Sequence, residues 1–256
     1  LIRGVVVLSG DDACVVLAEA LSPDGTEAGF ARLMTQRAQQ IGMTNSVFRN
    51  SSGWPADGHV MSTRDLTLLA QRIIQDFPEF YPMFAEEEFL FDEAESSNRF
   101  NRNPLLGLGI GADGLKTGHT QEAGYGLVGS AKQGDRRLIF TITGLDTAQE
   151  RAQESESIVN WAFRQFAEQT VTKAGAVIAE ADVWMGAADT VGLVADKDVT
   201  LLLPNIPGTD IPAEVVYTGP IEAPIAQGRQ LAELIISPQG LPEHRIPLFA
   251  ATTVPA

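Results

Sequence analysis

Lys116-Thr117-Gly118, in the stretch "DGLKTGHT" over residues 113–120, are the residues whose types most directly indicate chemistry. An ammonium beside a hydroxyl is a good receptor for a carboxylate, because both groups donate hydrogen bonds. Gly118 has no Cβ, so a substrate backbone can approach the predicted strand closely and pair with it as an added strand. As an isolated tripeptide, however, this pattern is more often a charged surface turn, and it needs support from elsewhere in the chain.

A second polar group, Ser9-Gly10-Asp11, precedes a predicted helix. Serine and aspartate are ordinary residues at a helix start, so this group alone is more often a cap than a site. The order of the two groups is more specific, since the sequence between them predicts two helices, a long loop and another helix.

The elements that must position these residues follow from apolar spacing and turn residues. Helices are predicted in "GDDACVVLAEAL" and "TEAGFARLMTQRAQQIGM", and Ser62 to Asp65 read as a capping box that opens a helix running through Phe77 to a stop at Pro78. "YGLVGSAKQGDRRLIFTITGL" predicts two strands joined by a turn, and "SIVNWAFRQF" predicts a short helix. After about residue 169, short Val, Ile and Leu runs alternate with Gly, Pro and Asp, which is typical of an all-β domain. We therefore expect an α+β domain over residues 1–168 and a β-rich domain over 169–256.

Composition excludes several classes of function. The formal net charge of −15 argues against a nucleic-acid partner, because phosphate binding needs clustered Lys and Arg. Cys14 is the single cysteine and is predicted to be a small buried hydrophobe. The histidines His59, His119 and His244 lack metal-ligand spacing, so we expect neither a metal nor a cofactor.

Together these segments resemble the penicillin-binding D-alanyl-D-alanine carboxypeptidases, the low-molecular-mass serine peptidases of bacterial peptidoglycan. The resemblance covers essentially the whole chain and rests on "LSGDDACVVLAEAL", "FARLMTQRAQQIGMTNSVFRNSSG", "STRDLTLLAQRIIQDFPEFY", "NRNPLL", "DGLKTGHT" and "GYGLVGSA". It implies a catalytic domain of the serine β-lactamase and penicillin-binding-protein type, followed by a smaller all-β sandwich.

The resemblance also implies roles for individual residues. Ser9 matches the serine of the family's Ser-x-Asn motif, and Lys116, Thr117 and Gly118 match its Lys-Thr-Gly motif. Ser9 and Lys116 would relay protons to the leaving amine, and Thr117 would help to hold the terminal carboxylate of the substrate. His119 follows the motif as in close relatives, while Arg151 in "DTAQER" matches the family's carboxylate-binding arginine. Arg102 in "NRN" matches another arginine near the site, with a structural salt bridge as the alternative.

Two departures from the family pattern stand out. Asp11 lies where the family has asparagine, and an ionised carboxylate can only accept hydrogen bonds, whereas an amide can also donate. The family's Ser-x-x-Lys motif, which carries the nucleophile, does not occur among these residues. We expect it upstream of Leu1, so the catalytic domain is expected to be incomplete at its N-terminus and inactive alone.

The implied function is a serine-type D-Ala-D-Ala carboxypeptidase that acts on peptidoglycan stem peptides and is acylated by β-lactam antibiotics such as penicillin. A β-lactamase or esterase on the same scaffold is an alternative that would need a deacylating base, for which Glu86 to Glu88 are candidates by charge only. A non-catalytic peptidoglycan-binding or scaffolding protein is a second alternative. The family implies the periplasm, at the inner membrane, with membrane association only through a tail that is not seen in this sequence.

Overall fold

The computed structural model describes residues 1–91, 97–205 and 211–256. These residues form two compact units, Leu1–Ala162 and Phe163–Ala256. The domain boundary expected between residues 168 and 169 stays a prediction.

The N-terminal unit combines helices with one antiparallel sheet. Its helices are α1 (Ile2–Val6), α2 (Asp11–Leu21), α3 (Glu27–Gln40) and α4 (Thr63–Asp76), and α5 (Ala148–Gln165) begins in it. A short 3₁₀ helix covers Tyr81–Ala85, and the strands are β1 (Ala112–Thr120), β2 (Gly124–Gln133) and β3 (Arg136–Leu145). The strands follow the order β1-β2-β3, so within the described chain β1 pairs on one side only.

The helix starts explain why the chain folds as it does on either side of the loop over residues 41–62. Thr26 accepts a hydrogen bond from Gly29 N at 3.0 Å at the start of α3. Ser62 does the same for Asp65 N at 3.1 Å at the start of α4. Each hydroxyl satisfies a backbone N–H that the helix itself leaves without a partner.

Only half of the predicted capping box at Ser62 is formed. The Asp65 carboxylate does not bond back to the backbone N–H of Ser62; it accepts from Asn45 N and Ser46 Oγ, both at 2.8 Å. The side chain of Asp65 is fully buried, so its hydrogen bonds link the loop to the start of α4. The helix then ends at Asp76, and Phe77, predicted to lie on its apolar face, is 51% exposed.

The helix predicted at "SIVNWAFRQF" is longer than expected. It begins at Ala148, because Thr147 Oγ1 accepts from Glu150 N at 3.0 Å and so caps its first turn. The Glu150 carboxylate reaches back to Asp146 N at 2.9 Å. Arg151 therefore belongs to the first turn of α5 and not to a loop after the strands, while Phe166 belongs to the next strand.

The start of β1 is fixed by a polar network behind the sheet. Asp113 on β1 forms an ion pair with Arg137 on β3 at 2.8 Å and accepts from Tyr81 Oη at 2.8 Å. Arg137 also donates to the fully buried Ser130 on β2 at 2.6 Å. At Gly111 the backbone has a φ of 84° and a Cβ would lie 2.2 Å from Lys132 O, so only glycine fits before this strand. These contacts fix the strand a few residues before Lys116.

The C-terminal unit is all-β, as the family resemblance implied. Its strands are β4 (Phe166–Thr172), β5 (Val177–Trp184), β6 (Thr190–Val194), β7 (Val199–Pro204), β8 (Ala213–Tyr217), β9 (Ile221–Glu222), β10 (Gln230–Ile236) and β11 (His244–Ala250). Six strands form a sheet in the order β8-β10-β11-β6-β5-β9, and β4 pairs with β7. A shared apolar core that includes Leu193, Val199 and Leu248 links the two sheets.

We predict that Asp65→Ala strongly destabilises the protein. The change leaves the Asn45 N–H and the Ser46 hydroxyl without their acceptor in a buried position, which is more costly than losing an exposed contact. The matched control is Asp76→Ala in the same helix, where an exposed pair with Arg72 is lost and a change of only about 0.3–0.5 kcal/mol is expected. Urea denaturation of both variants of the complete natural chain measures the difference. Equal urea midpoints for the two variants would contradict the structural role assigned to the buried hydrogen bonds of Asp65.

Candidate active site

A cavity of about 820 Å³ opens in the N-terminal unit between the sheet, the start of α2 and the loop that precedes α4. The residues to which the family resemblance gave roles all line it: Ser9, Asp11, Arg102, Lys116, Thr117, Gly118, His119 and Arg151. The fold therefore gathers residues from distant parts of the chain into one cavity, since Ser9 and Arg151 are 142 positions apart.

Ser9 and Lys116 are in direct contact at the centre of this group. Lys116 Nζ donates to Ser9 Oγ at 2.5 Å and to Thr117 O at 2.8 Å. Ser9 has a φ of 58°, in the left-handed region that non-glycine residues rarely adopt. The surrounding structure holds it there, because Gly10 N donates to Gly4 O at 3.0 Å and closes the turn between α1 and α2. Backbone strain of this kind is often found at functional sites.

Lys116 has an unusually acidic ammonium. Burial first, and then the nearby positive charges of Arg102 and Arg151, lower its pKa from 10.5 to about 8. Asp11 and Cys14 act in the opposite direction and raise the pKa. A lysine with a pKa near 8 can both give and take a proton close to neutral pH, which suits proton transfer.

Asp11 supplies a negative charge at the start of α2. Its carboxylate is exposed and lines the cavity, at a helix N-terminus where the helix dipole favours an anion. Its effect on Lys116 is electrostatic, since it raises the pKa of that lysine. The departure from the family's asparagine therefore changes the charge of the site.

The strand next to Lys116 leaves room for a ligand. Thr117 is 9% exposed and lines the cavity, while a Cβ built at Gly118 would meet no atom within 4 Å. Among the described strands β1 pairs only with β2, so no described strand occupies its other edge. A peptide laid along this edge would meet Gly118 without a clash.

Arg151 is a buried cation that lines the cavity. It is 8% exposed, and no salt bridge to it occurs among the residues that the structure describes. Within the described segments its Nε has no hydrogen-bond partner, and one terminal nitrogen donates to Arg102 O at a long 3.3 Å. Buried charges are normally paired, so the guanidinium of Arg151 departs from the usual pattern within the described residues.

Arg102 lies near Arg151 and contributes a second positive charge. Its side chain is exposed and donates to Asn98 Oδ1 at 3.1 Å, and it takes part in none of the ion pairs of the described segments. The neighbouring Asn103 fixes this stretch by donating to Gly114 O on β1 at 3.0 Å. The alternative of a structural salt bridge for Arg102 therefore has no support here.

Tyr125 is a site residue that the sequence reasoning missed. It lines the cavity, its ring centroid lies 3.8 Å from that of His119, and Arg151 Cζ lies 5.6 Å from the same centroid. A signal was available, because a hairpin from "GHT" to "GYG" pairs the two residues directly.

Cys14 was expected to be a buried hydrophobe, yet it is only half-buried and close enough to raise the pKa of Lys116.

The acidic run at Glu86 to Glu88 does not line the cavity. Glu86 forms an ion pair with Arg3 at 2.9 Å, and Glu88 forms one with Arg99.

Across residues 1–91, 97–205 and 211–256, no three His, Cys, Asp or Glu side chains cluster so as to hold a metal ion. Over the same ranges, no helix has the length and apolar character needed to cross a membrane.

Comparison with known families agrees with this geometry. Residues 1–147 match the family model described as "D-alanyl-D-alanine carboxypeptidase". The chain belongs to the D-alanyl-D-alanine carboxypeptidase family. Residues 166–256 match the model of the C-terminal domain of penicillin-binding protein 5, which accounts for the all-β unit.

Individual members of the family are similar over the whole chain. D-alanyl-D-alanine carboxypeptidase DacA of Escherichia coli is 35% identical over 257 residues, which is all of this chain and 62% of the relative. The chain thus spans less than two thirds of the length of that relative.

Solved structures of the family share the fold. Penicillin-binding protein 5 from Haemophilus influenzae aligns with a TM-score of 0.72 and 32% identity over 99% of this chain and 73% of that chain. Penicillin-binding protein D2 from Listeria monocytogenes, solved in an ampicillin-bound form, aligns with a TM-score of 0.57 and 33% identity over 63% of this chain and 65% of that chain. The expected penicillin-binding-protein fold is therefore confirmed.

We predict that Asp11→Asn lowers the pKa of Lys116 further below 8, because it removes a negative charge that raises it. Asp12→Asn is the matched control, since the Asp12 carboxylate accepts from Ala13 N at 2.8 Å and lies outside the cavity lining. Titration of the lysine ¹³Cε resonances by NMR measures both variants. A Lys116 pKa that is unchanged or raised in Asp11→Asn would contradict the electrostatic effect assigned to Asp11.

Proposed function

We propose that the protein is a serine-type D-Ala-D-Ala carboxypeptidase, which removes the terminal D-alanine of peptidoglycan stem peptides through an acyl-enzyme. The observation that carries this proposal is the contact of Lys116 Nζ with Ser9 Oγ at 2.5 Å, in the same cavity as a buried arginine whose Nε is unpaired among the described residues. Family membership supports it independently.

The carboxylate of the substrate would bind at Arg151 and Thr117. A guanidinium is well shaped for a carboxylate, and Thr117 adds a hydroxyl donor on the same side of the cavity. Pairing would satisfy the Nε of Arg151, which has no partner among the described residues. This arrangement favours substrates that end in a free carboxylate, as a carboxypeptidase requires.

Ser9 and Lys116 would carry the proton that the reaction moves. A serine nucleophile attacks the carbonyl carbon of the D-Ala-D-Ala bond and gives its proton to the lysine of its own Ser-x-x-Lys motif. The carbon–nitrogen bond then breaks, and that proton passes through Ser9 Oγ to the leaving amine. Lys116 can hold the proton during this transfer, because its pKa of about 8 lets it both take and give a proton near neutral pH. Water then hydrolyses the acyl ester, restoring the serine and releasing the shortened peptide.

The nucleophile itself is assigned to a part of the protein outside these 256 residues, since no Ser-x-x-Lys motif occurs in them. The cavity has an apolar wall formed by Leu66, Leu69 and Ile73 of α4 and Val128 of β2. The segment that carries the nucleophile would then pack against this wall, in the cavity that Ser9 and Lys116 also line. The 256 residues would then form the half of the site that binds the carboxylate and transfers protons.

The proposed partners are stem peptides ending in D-Ala-D-Ala and β-lactam antibiotics that mimic them. A relative solved in an ampicillin-bound form supports the second class. We place the reaction in the periplasm at the inner membrane, where such peptides are exposed, and assign any membrane attachment to a segment outside this sequence.

We predict that the complete natural protein forms a stable penicillin adduct and that Lys116→Met slows its formation by about 100-fold or more, the typical contribution of a general acid or base. Lys132→Met is the control, because Lys132 is an exposed lysine in the same sheet outside the cavity. Time courses with a fluorescent penicillin, followed by mass spectrometry, measure the rate.

Each other outcome of this labelling identifies a competing function. No labelling, with peptidoglycan binding retained, would favour a non-catalytic scaffold. Rapid loss of the label would favour a β-lactamase. Equal rates for the two lysine variants would overturn the role given to Lys116.

We also predict that Arg151→Ala reduces turnover of a peptide ending in D-Ala-D-Ala by about 10- to 100-fold, the value of one or two charge-assisted hydrogen bonds. Hydrolysis of an ester that lacks the terminal carboxylate should change far less. Arg164→Ala, an exposed arginine in the same helix, is the control. Equal losses on the two substrates would contradict carboxylate binding by Arg151.

A further inference from the structure

Few contacts hold the buried guanidinium of Arg151 in the cavity before a substrate binds. The only hydrogen bond that it makes within the described residues is the long one to Arg102 O, at 3.3 Å. The Arg102 side chain carries the same charge, so repulsion favours a rotation of Arg151 away from the cavity. Long arginine side chains have many rotamers, and an unpaired one gains entropy by moving to solvent.

Tyr125 is the group that opposes this movement. Its ring centroid lies 5.6 Å from Arg151 Cζ, within the range in which a cation is attracted to the face of an aromatic ring. Burial and the like charge of Arg102 both disfavour the charged guanidinium and lower its pKa. The face of the Tyr125 ring, in contrast, attracts a cation.

The position of the Tyr125 ring is in turn fixed by the sheet. Tyr125 and His119 are direct partners in the β1–β2 register, and their rings lie 3.8 Å apart with a tilt of 31°. His119 is the residue that immediately follows Gly118 on the edge strand. The ring of Tyr125 thus connects the edge of β1 to the first turn of α5, on which Arg151 lies.

We propose that Tyr125 is a positioning residue, whose aromatic face keeps Arg151 directed into the cavity so that it meets the substrate carboxylate. This inference rests on the proposed function, because it assumes that Arg151 binds that carboxylate. The ring carries the role rather than the hydroxyl, since the Tyr125 hydroxyl makes no hydrogen bond to any residue that the structure describes. The proposal therefore distinguishes an aromatic replacement from an aliphatic one.

The test compares Tyr125→Phe with Tyr125→Leu in the complete natural chain. KM and kcat are measured for a peptide ending in D-Ala-D-Ala and for an ester without the terminal carboxylate, after the active fraction has been counted by saturating penicillin. In Tyr125→Leu we expect KM for the peptide to rise about 5- to 10-fold, the scale of a partly desolvated cation–π contact. KM and kcat of Tyr125→Leu for the ester should stay near those of the wild type. Tyr125→Phe should keep the wild-type preference for the substrate with a terminal carboxylate. If Tyr125→Leu does not accumulate, Tyr125→Met provides a second variant without a ring.

Several outcomes would overturn the proposal. An equal loss on both substrates in Tyr125→Leu would mean that Tyr125 acts only through stability. A loss of carboxylate preference in Tyr125→Phe would mean that the hydroxyl acts. An unchanged KM in Tyr125→Leu would mean that Arg151 holds its position unaided. A wild-type protein that penicillin does not acylate would instead contradict the proposed carboxypeptidase function, and the two failures are therefore distinguishable.

Discussion

The contact between the Lys116 ammonium and the Ser9 hydroxyl is the interaction on which the rest of the site depends. It joins the middle of β1 to the turn between α1 and α2, segments that are 107 residues apart in the chain. A mostly buried ammonium needs such a partner, because its desolvation is costly. The Asp113–Arg137 pair sets the start of the strand on one side, and the left-handed backbone of Ser9 sets the hydroxyl on the other.

The site is positive although the protein as a whole is acidic. The formal net charge is −15, yet Lys116, Arg102 and Arg151 share one cavity, with Asp11 as the carboxylate that acts on Lys116. Repulsion among like charges is tolerated here because an anion is expected to complete the group. In this account Tyr125 maintains the arrangement while no anion is bound. Burial and the same positive charges lower the pKa of Lys116 to about 8, so in this account anion binding and proton transfer depend on one set of residues.

The sequence predicted the order of elements, the penicillin-binding-protein fold and a residue set that the structure gathers into one cavity. Periodicity sufficed for α3 and for the β2–β3 hairpin, because local spacing determines such elements. It failed for the start of α5, where the capping role of Thr147 was not recognised, and for Asp65, whose partners lie about twenty residues earlier, at Asn45 and Ser46. The pairing of Tyr125 with His119 was a signal in the sequence, but its contact with Arg151 was not, because the sequence carries no sign of a contact between a strand and a distant helix.

The most direct test of the central claim is a crystal structure of the complete natural protein with a slowly cleaved peptide that ends in D-Ala-D-Ala. The account predicts that the terminal carboxylate lies between the Arg151 guanidinium and the Thr117 hydroxyl, and that the peptide runs along β1 past Gly118. It also predicts that Ser9 Oγ lies within hydrogen-bond distance of the scissile nitrogen. A carboxylate bound elsewhere, with Arg151 still unpaired, would contradict it.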